Sequence, residues 1–327
     1  MIYLTFALSA AVVVVAAIQL ARFGDVIAVR TGLSGMFIGT LLLAGATSLP
    51  ELLSGIDAIK IGLPNMAAGS LLGSGMFNMF LLGLIGLLFS RVRLLRRVAT
   101  THALTASLAI LLTGLAALFL LADVDLKLGW VGLDSLLIIA AYIGGVVLLR
   151  GRAETPPEEA DLAEAKAPSL KVGVLGFGAA SLALVLIMPA MVNSADGIAK
   201  ATGLSSGFIG ASLIAITTSL PELAATIAAA RLGAYDLAVG NLFGSNVFNM
   251  FALGLIDFFY LPGRFLGAVD PAFAVVGLLV VTLTGLGLIG LLARVERRIF
   301  FVEIDALLIL IGYFLGMYLL YYKGVGV

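Results

Sequence analysis

Two stretches of this sequence are near-copies of each other: Gly32–Leu52, GLSGMFIGTLLLAGATSLPEL, and Gly203–Leu223, GLSSGFIGASLIAITTSLPEL. Each sets one glutamate, Glu51 or Glu222, into an otherwise apolar run, and the two acids stand 171 residues apart. The same interval relates Asp25 to Asp196, Thr47 to Thr218, Ser74 to Ser245, Asn78 to Asn249, Asp134 to Asp305 and Tyr142 to Tyr313. An offset held from one end of each half to the other marks a duplicated folding unit, not one motif used twice.

The chain is 61% hydrophobic and 12% charged with a mean hydropathy of +1.17, too few charges to clothe a soluble domain of 327 residues. Apolar segments long enough to cross a bilayer, about 20 residues each, are expected at 2–20, 33–60, 64–90, 101–122, 130–150, 172–192, 204–231, 236–260, 268–293 and 302–322. The first lacks a basic leader and a small-residue cleavage motif, so it reads as a retained helix and not a signal peptide. The segment 151–171, GRAETPPEEADLAEAKAPSLK, has the composition of a polar linker. It separates a first repeat, 1–150, from a second, 172–327. Five spans per repeat is an odd number, so the second repeat enters the membrane from the opposite side. The expected fold is an all-α polytopic membrane protein: ten transmembrane helices in two inverted-topology five-helix repeats, the plan of many secondary transporters.

Loop charge orients this arrangement. Of the 19 Lys and Arg residues, all but Lys60, Lys127, Lys200, Arg264 and Lys323 fall on one side, which the positive-inside rule makes cytoplasmic. Both termini are then outside and the linker inside. A formal net charge of zero offers no basic face to nucleic acid, and a chain without cysteine has neither disulfides nor thiol chemistry. A single histidine, His102, cannot build a His-rich metal site. No HExxH or GxSxG motif and no nucleotide-binding loop supports an enzyme.

The chemistry is concentrated in two elements per repeat. Proline within Thr47-Ser48-Leu49-Pro50-Glu51, and within Thr218-Ser219-Leu220-Pro221-Glu222, has no N–H and clashes with the preceding turn. Helices two and seven are therefore expected to break at these motifs, freeing carbonyls near Ala44–Thr47, with the S-x-x-E spacing restarting each helix as a capping box. Broken backbone at membrane depth is tolerated only where protein buries it or where it lines a cavity. A carboxylate at that depth costs roughly 2.5–3.5 kcal/mol. Carbonyls, hydroxyls and carboxylates are the hard oxygen ligands of Na⁺ and Ca²⁺. In the next helix of each repeat, Gly69 and Gly73, like Gly240 and Gly244, have small-xxx-small spacing for close packing. Ser74 and Asn78, like Ser245 and Asn249, share one helix face.

TSLPE followed by GSxxFN, in two inverted halves, resembles the cation/calcium exchanger superfamily, nearest its sodium/calcium exchanger branch. That resemblance spans nearly the whole chain. It implies Na⁺ and Ca²⁺ sites at mid-membrane among helices two, three, seven and eight, with helices one and six sliding across that core. Carried over by position, the ligands would be the carbonyls of Ala44 and Ala215, with the side chains of Thr47, Thr218, Ser48, Ser219, Glu51, Glu222, Ser74, Ser245, Asn78 and Asn249. The chain departs from the pattern at Ala46 and Thr217, where the family often has glycine, and at Ser70 and Gly75, where the second half keeps Asn241 and Asn246. Asn249 stands where sodium/calcium exchangers usually carry aspartate. The implied activity is Na⁺/Ca²⁺ antiport in a prokaryotic plasma (inner) membrane, without cofactors, with the bilayer as solvent and a complete paired site in one chain, as a monomer would need. H⁺ in place of Na⁺, and a passive cation channel, are the alternatives.

Overall fold

The computed structural model describes residues 1–31, 43–89, 101–150, 168–293, 298–299 and 302–324. The Arg91–Arg97 cluster and most of the linker lie outside them. The described residues are almost entirely helical. In chain order the helices of twelve residues or more are α1 Ile2–Arg30, α2 Leu49–Lys60, α3 Pro64–Leu88, α4 Thr101–Ala122, α5 Leu133–Arg150, α6 Leu170–Thr202, α7 Leu220–Arg231, α8 Tyr235–Ile256, α9 Phe273–Ala293 and α10 Ile304–Lys323. Among the described residues seven helices are long and apolar enough to cross a membrane, or eight when α7 is joined to the bent piece Ser206–Thr218 before it. Of the two remaining expected spans, α5 is a shorter apolar helix, and the N-terminal part of the one containing α2 falls outside the described residues.

Two helices run well past their expected ends. α1 has 29 residues and α6 has 33, against 2–20 and 172–192 expected. At 1.5 Å per residue these are about 44 and 50 Å long, more than the hydrocarbon thickness of about 30 Å. No proline interrupts α1, and α6 continues through Pro189, whose carbonyl accepts from the Asn193 side-chain amide at 2.7 Å. Ser169 caps α6, accepting from the Val172 N–H, and Gly203 ends it at φ +71°. Asp25 and Asp196 consequently lie inside α1 and α6, with Asp196 paired to Lys200 at 2.6 Å. α1 and α6 pack lengthwise on each other, and Arg30 Nε reaches the Pro168 carbonyl at 2.8 Å.

α3 and α8 form the centre: α3 is buried without a break from Met66 to Met79, with Ser70, Ser74 and Asn78 among the buried residues. The outer helices are exchanged between halves, α10 packing on α3 and α5 on α8. Tyr142 of α5 packs on Phe251 of α8 at 4.6 Å between ring centroids, and Tyr313 of α10 on Phe80 of α3 at 4.8 Å. These pairs are one contact written twice, with the halves interchanged and the 171-residue offset applied. Reciprocal contacts of this kind are what a twofold axis between like units generates. Even the short hairpins repeat: Lys127 pairs with Gly132, and Arg298 with Glu303.

Glycine sets the closest approach. A Cβ on Gly69 would collide with the Gly207 carbonyl, and one on Gly73 would stand 2.5 Å from the Ala211 Cα. α3 therefore meets the π-helical turn Gly210–Ile214 backbone to backbone.

The sequence pattern presents Arg264 as a loop charge. Its side chain is nonetheless buried and pairs with Asp134 at 2.8 Å and with Asp123. Buried Asp257 accepts from the N–H groups of Gly132 and Phe265 at 2.7 and 2.6 Å. Asp134, in the first turn of α5, accepts from the Ser135 N–H and, through Arg264, ties the two repeats together.

Candidate cation site

The sequence-derived residues Thr47, Ser48, Glu51, Ser74, Asn78, Thr218, Ser219, Glu222, Ser245 and Asn249, with Ala44 and Ala215, all have 0% solvent exposure. They come from the ends of α2 and α7, the helical turns just before them, and the middles of α3 and α8. The chain does break at both motifs: Ser48 and Ser219 leave helical geometry, and the second break bends the segment by 41°.

The break differs in two ways from the expectation. No capping box forms, because neither serine side chain caps its own helix. The Ser48 hydroxyl instead donates to Glu222 Oε1 of the other repeat at 2.9 Å, and Ser219 donates to Glu51 Oε1 at 3.0 Å. The carbonyls of Ala44 and Ala215 are not freed either; they accept the backbone N–H groups of Ser48 and Ser219 at 2.9 and 3.1 Å. Proline at position 50 removes the donor four residues after Ala46, so the helical partner is lost at Ala46 and not at Ala44. A carbonyl has two lone pairs, and the Ala215 oxygen uses its spare capacity toward the Ser74 hydroxyl, 3.4 Å away.

Each glutamate is thus held from both halves. Ser74 donates to Glu51 Oε1 at 3.3 Å, and Ser245 to Glu222 Oε1 at 3.4 Å. The Thr47 hydroxyl donates to the Ala44 carbonyl at 3.1 Å and the Thr218 hydroxyl to the Ile214 carbonyl at 3.0 Å. The second oxygens, Glu51 Oε2 and Glu222 Oε2, are buried with no hydrogen-bond partner. Asn78 Oδ1 and both polar atoms of the Asn249 amide are likewise unpartnered. Buried polar atoms normally find partners, so four unpartnered oxygens gathered among these side chains point to a positively charged ligand. Among the described residues no three His, Asp or Glu side chains cluster as around a resident transition metal. The donor set is hydroxyl, amide, carbonyl and two carboxylates, suited to hard cations.

Two further polar contacts lie beside this centre. Ser54 bonds Ser70 at 3.1 Å, and Asn241 donates to Thr226 at 3.3 Å. The sequence pattern sets Ser70 and Gly75 apart from Asn241 and Asn246 but gives the difference no role. Asn246 proves to be bonded within the site, accepting from Asn78 Nδ2 at 3.0 Å and donating to the Gly75 carbonyl at 3.3 Å.

Known proteins share the architecture. The inner membrane protein YrbG of Escherichia coli K12 is 32% identical over 249 residues, covering 73% of this chain and 73% of YrbG. The sodium-calcium exchanger NCX_Mj has the same fold, with a TM-score of 0.64 at 22% identity over 97% of this chain and 99% of that one. So does the H⁺/Ca²⁺ exchanger CAX, with a TM-score of 0.64 at 19% identity over 99% and 89%. The family described as sodium/calcium exchanger protein, whose members are transporters and not enzymes, matches residues 1–150 and 172–322. A match that runs through both halves, omitting the polar segment between them and the last few residues, identifies the chain as a member of the sodium/calcium exchanger family.

Proposed function

We propose that this membrane exchanger of Ca²⁺ for a monovalent cation couples to Na⁺. Its ions would bind Glu51, Glu222, Thr47, Thr218, Ser48, Ser219, Ser74, Ser245, Asn78, Asn249 and the carbonyls of Ala44 and Ala215. One observation carries the reading: both buried glutamates have one oxygen engaged by serine hydroxyls and the other free. The donors fix the carboxylates in place, and the free oxygens, with the free amide oxygens of Asn78 and Asn249, offer themselves to a desolvated cation. Hydroxyls are ligands for Na⁺ and are superfluous for a proton, which needs one carboxylate oxygen. Proton coupling is the second reading, and the fold, equally similar to a sodium- and a proton-coupled exchanger, does not separate the two.

The orientation proposed with it places both termini outside and the linker in the cytoplasm, in a plasma membrane, with a monomer as the transporting unit. Proteoliposomes loaded with Na⁺, with K⁺ or to a different pH separate the readings. Ca²⁺ uptake driven only by an outward Na⁺ gradient supports Na⁺ coupling. Uptake that follows the pH gradient and ignores Na⁺ assigns the proton, and Ca²⁺ leak with no counter-gradient makes the protein a channel.

A further inference from the structure

The site is not as symmetric as its sequence. Contacts between the halves come in reciprocal pairs: Ser48 with Glu222 and Ser219 with Glu51, or Tyr142 with Phe251 and Tyr313 with Phe80. The contact of Asn78 with Asn246 has no such mate. Its reciprocal would join Asn249 to residue 75, which is glycine. Residues 75 and 246 are themselves equivalent, and they touch each other, so this contact lies on the pseudo-twofold axis. Two asparagines there would face one another. Gly75 leaves the axis to one carboxamide, and a Cβ at that position would already lie 3.2 Å from Val280, whose counterpart in the first repeat is the smaller Ala109.

The polarity of the resulting chain of hydrogen bonds is fixed by a backbone group. The Gly75 carbonyl can only accept, so the Asn246 amide must present Nδ2 to it. Asn246 Oδ1 then faces Asn78 and requires Nδ2 from it. That turns Asn78 Oδ1, buried and unpartnered, away from Asn246 and leaves it as a ligand oxygen. Nothing performs this service for Asn249, whose amide has both ends free.

We propose that Asn246 is a positioning residue that locks the Asn78 carboxamide with its oxygen available to the transported cation, and that Gly75 leaves the equivalent Asn249 amide unlocked. The two repeats therefore supply one fixed and one reorientable amide to an otherwise duplicated site. This rests on the exchanger reading above and adds to it a residue outside the proposed ligand set.

The experiment is a double-mutant cycle read as KM for Ca²⁺ in Na⁺-driven uptake and, independently, as ⁴⁵Ca²⁺ binding to purified protein. Asn246→Leu keeps the volume and removes both hydrogen bonds. It should raise KM and weaken binding by about tenfold, with the effect on KM and not on kcat. In an Asn78→Ala background the same substitution should change neither, because its effect passes through Asn78. The mirrored variant G75N/N246G/V280A should move the coupling to Asn249, so that Asn249→Ala and not Asn78→Ala becomes non-additive with loss of the axial amide. Asn246→Leu with wild-type KM, or an equal loss with and without Asn78, overturns the proposal, as does a mirrored variant whose coupling stays with Asn78. Wild-type protein that binds and moves no Ca²⁺ overturns instead the functional reading beneath it.

Discussion

At the scale of single residues, the decisive groups are the two glutamates, and their hydrogen bonding shows why neither substitutes for the other. Each has only one unpartnered oxygen, so a Ca²⁺ ion held between them needs both. Glu51→Gln or Glu222→Gln keeps the shape and removes one charge. Breaking a buried charge pair costs about 3 kcal/mol or more, roughly a hundredfold in Ca²⁺ affinity. Uptake by either variant should fall to background while size-exclusion profiles stay monodisperse; near wild-type uptake by either would place the site elsewhere. The serines give a subtler expectation. Ser219→Ala removes a donor to Glu51, and Ser48→Ala a donor to Glu222, so each should weaken binding by about tenfold through a carboxylate of the opposite repeat. Double-mutant cycles should find Ser219 coupled to Glu51 and not to Glu222. That Glu51 and Glu222 mark a shared buried polar centre was legible in the sequence, because an acid within an apolar run is costly and this chain carries the cost twice in the same local context. Who bonds whom was not. The S-x-x-E spacing suggested a local cap, and a partner in the opposite repeat competes for the same hydroxyl without leaving any local signature.

At the scale of elements, glycine placement decides how close the site's walls can come. α3 is pressed on the π-helical turn Gly210–Ile214 through Gly69 and Gly73, where even a methyl group overlaps backbone. Backbone cannot yield as a side-chain tip can, so Gly73→Ala should cost about 1–3 kcal/mol in stability and displace Ser74 from Glu51. Gly114→Ala and Gly285→Ala, equivalent positions with nothing within 4 Å of the added methyl, should be neutral or slightly stabilising. Thermal unfolding in detergent and Ca²⁺ uptake measured on the three variants test this, and equal behaviour would mean that the contact is soft. The small-xxx-small pattern made the close approach legible, but not its target. The breaks at the two TSLPE motifs were legible from proline set among Ser and Glu, whereas Pro189 alone leaves α6 unbroken. The true lengths of α1 and α6 were not: hydropathy marks where a helix leaves the hydrocarbon, whereas the helix itself continues until a residue such as Gly203 stops it. The pairing of Arg264 with Asp123 and Asp134 was illegible for another reason. Loop charges read from sequence report topology, and only the packed loops show that Arg264 is buried.

At the scale of the whole molecule, the reciprocal contacts relate the two halves by a twofold axis, and the five spans per half expected from the sequence would set that axis in the membrane plane. Single cysteines at Glu158 and Gly324 should therefore label from opposite sides, in a protein with no native cysteine to confuse the result. The transport cycle as a whole is constrained by charge. Asn78 and Asn249 are neutral, so Glu51 and Glu222 bring at most two negative charges to a fully buried site. One Ca²⁺ or two Na⁺ ions balance them. A third Na⁺ would leave a net positive charge at membrane depth, where uncompensated charge is expensive. Because the loaded site is neutral with either cargo, exchange should be close to electroneutral, and Ca²⁺ flux should vary little with voltage. Asn249→Asp adds a third carboxylate at a position whose side chain no hydrogen bond holds, so it should admit the third Na⁺, steepen the Na⁺ dependence and introduce voltage sensitivity. Moving one elementary charge through 100 mV is worth about 2.3 kcal/mol, so a change from neutral to singly charged exchange is readily seen. Na⁺-driven Ca²⁺ uptake with the potential clamped by K⁺ and valinomycin measures it in both proteins. Steep voltage dependence in the wild type, unchanged by Asn249→Asp, would show that the number of carboxylates does not set the number of ions.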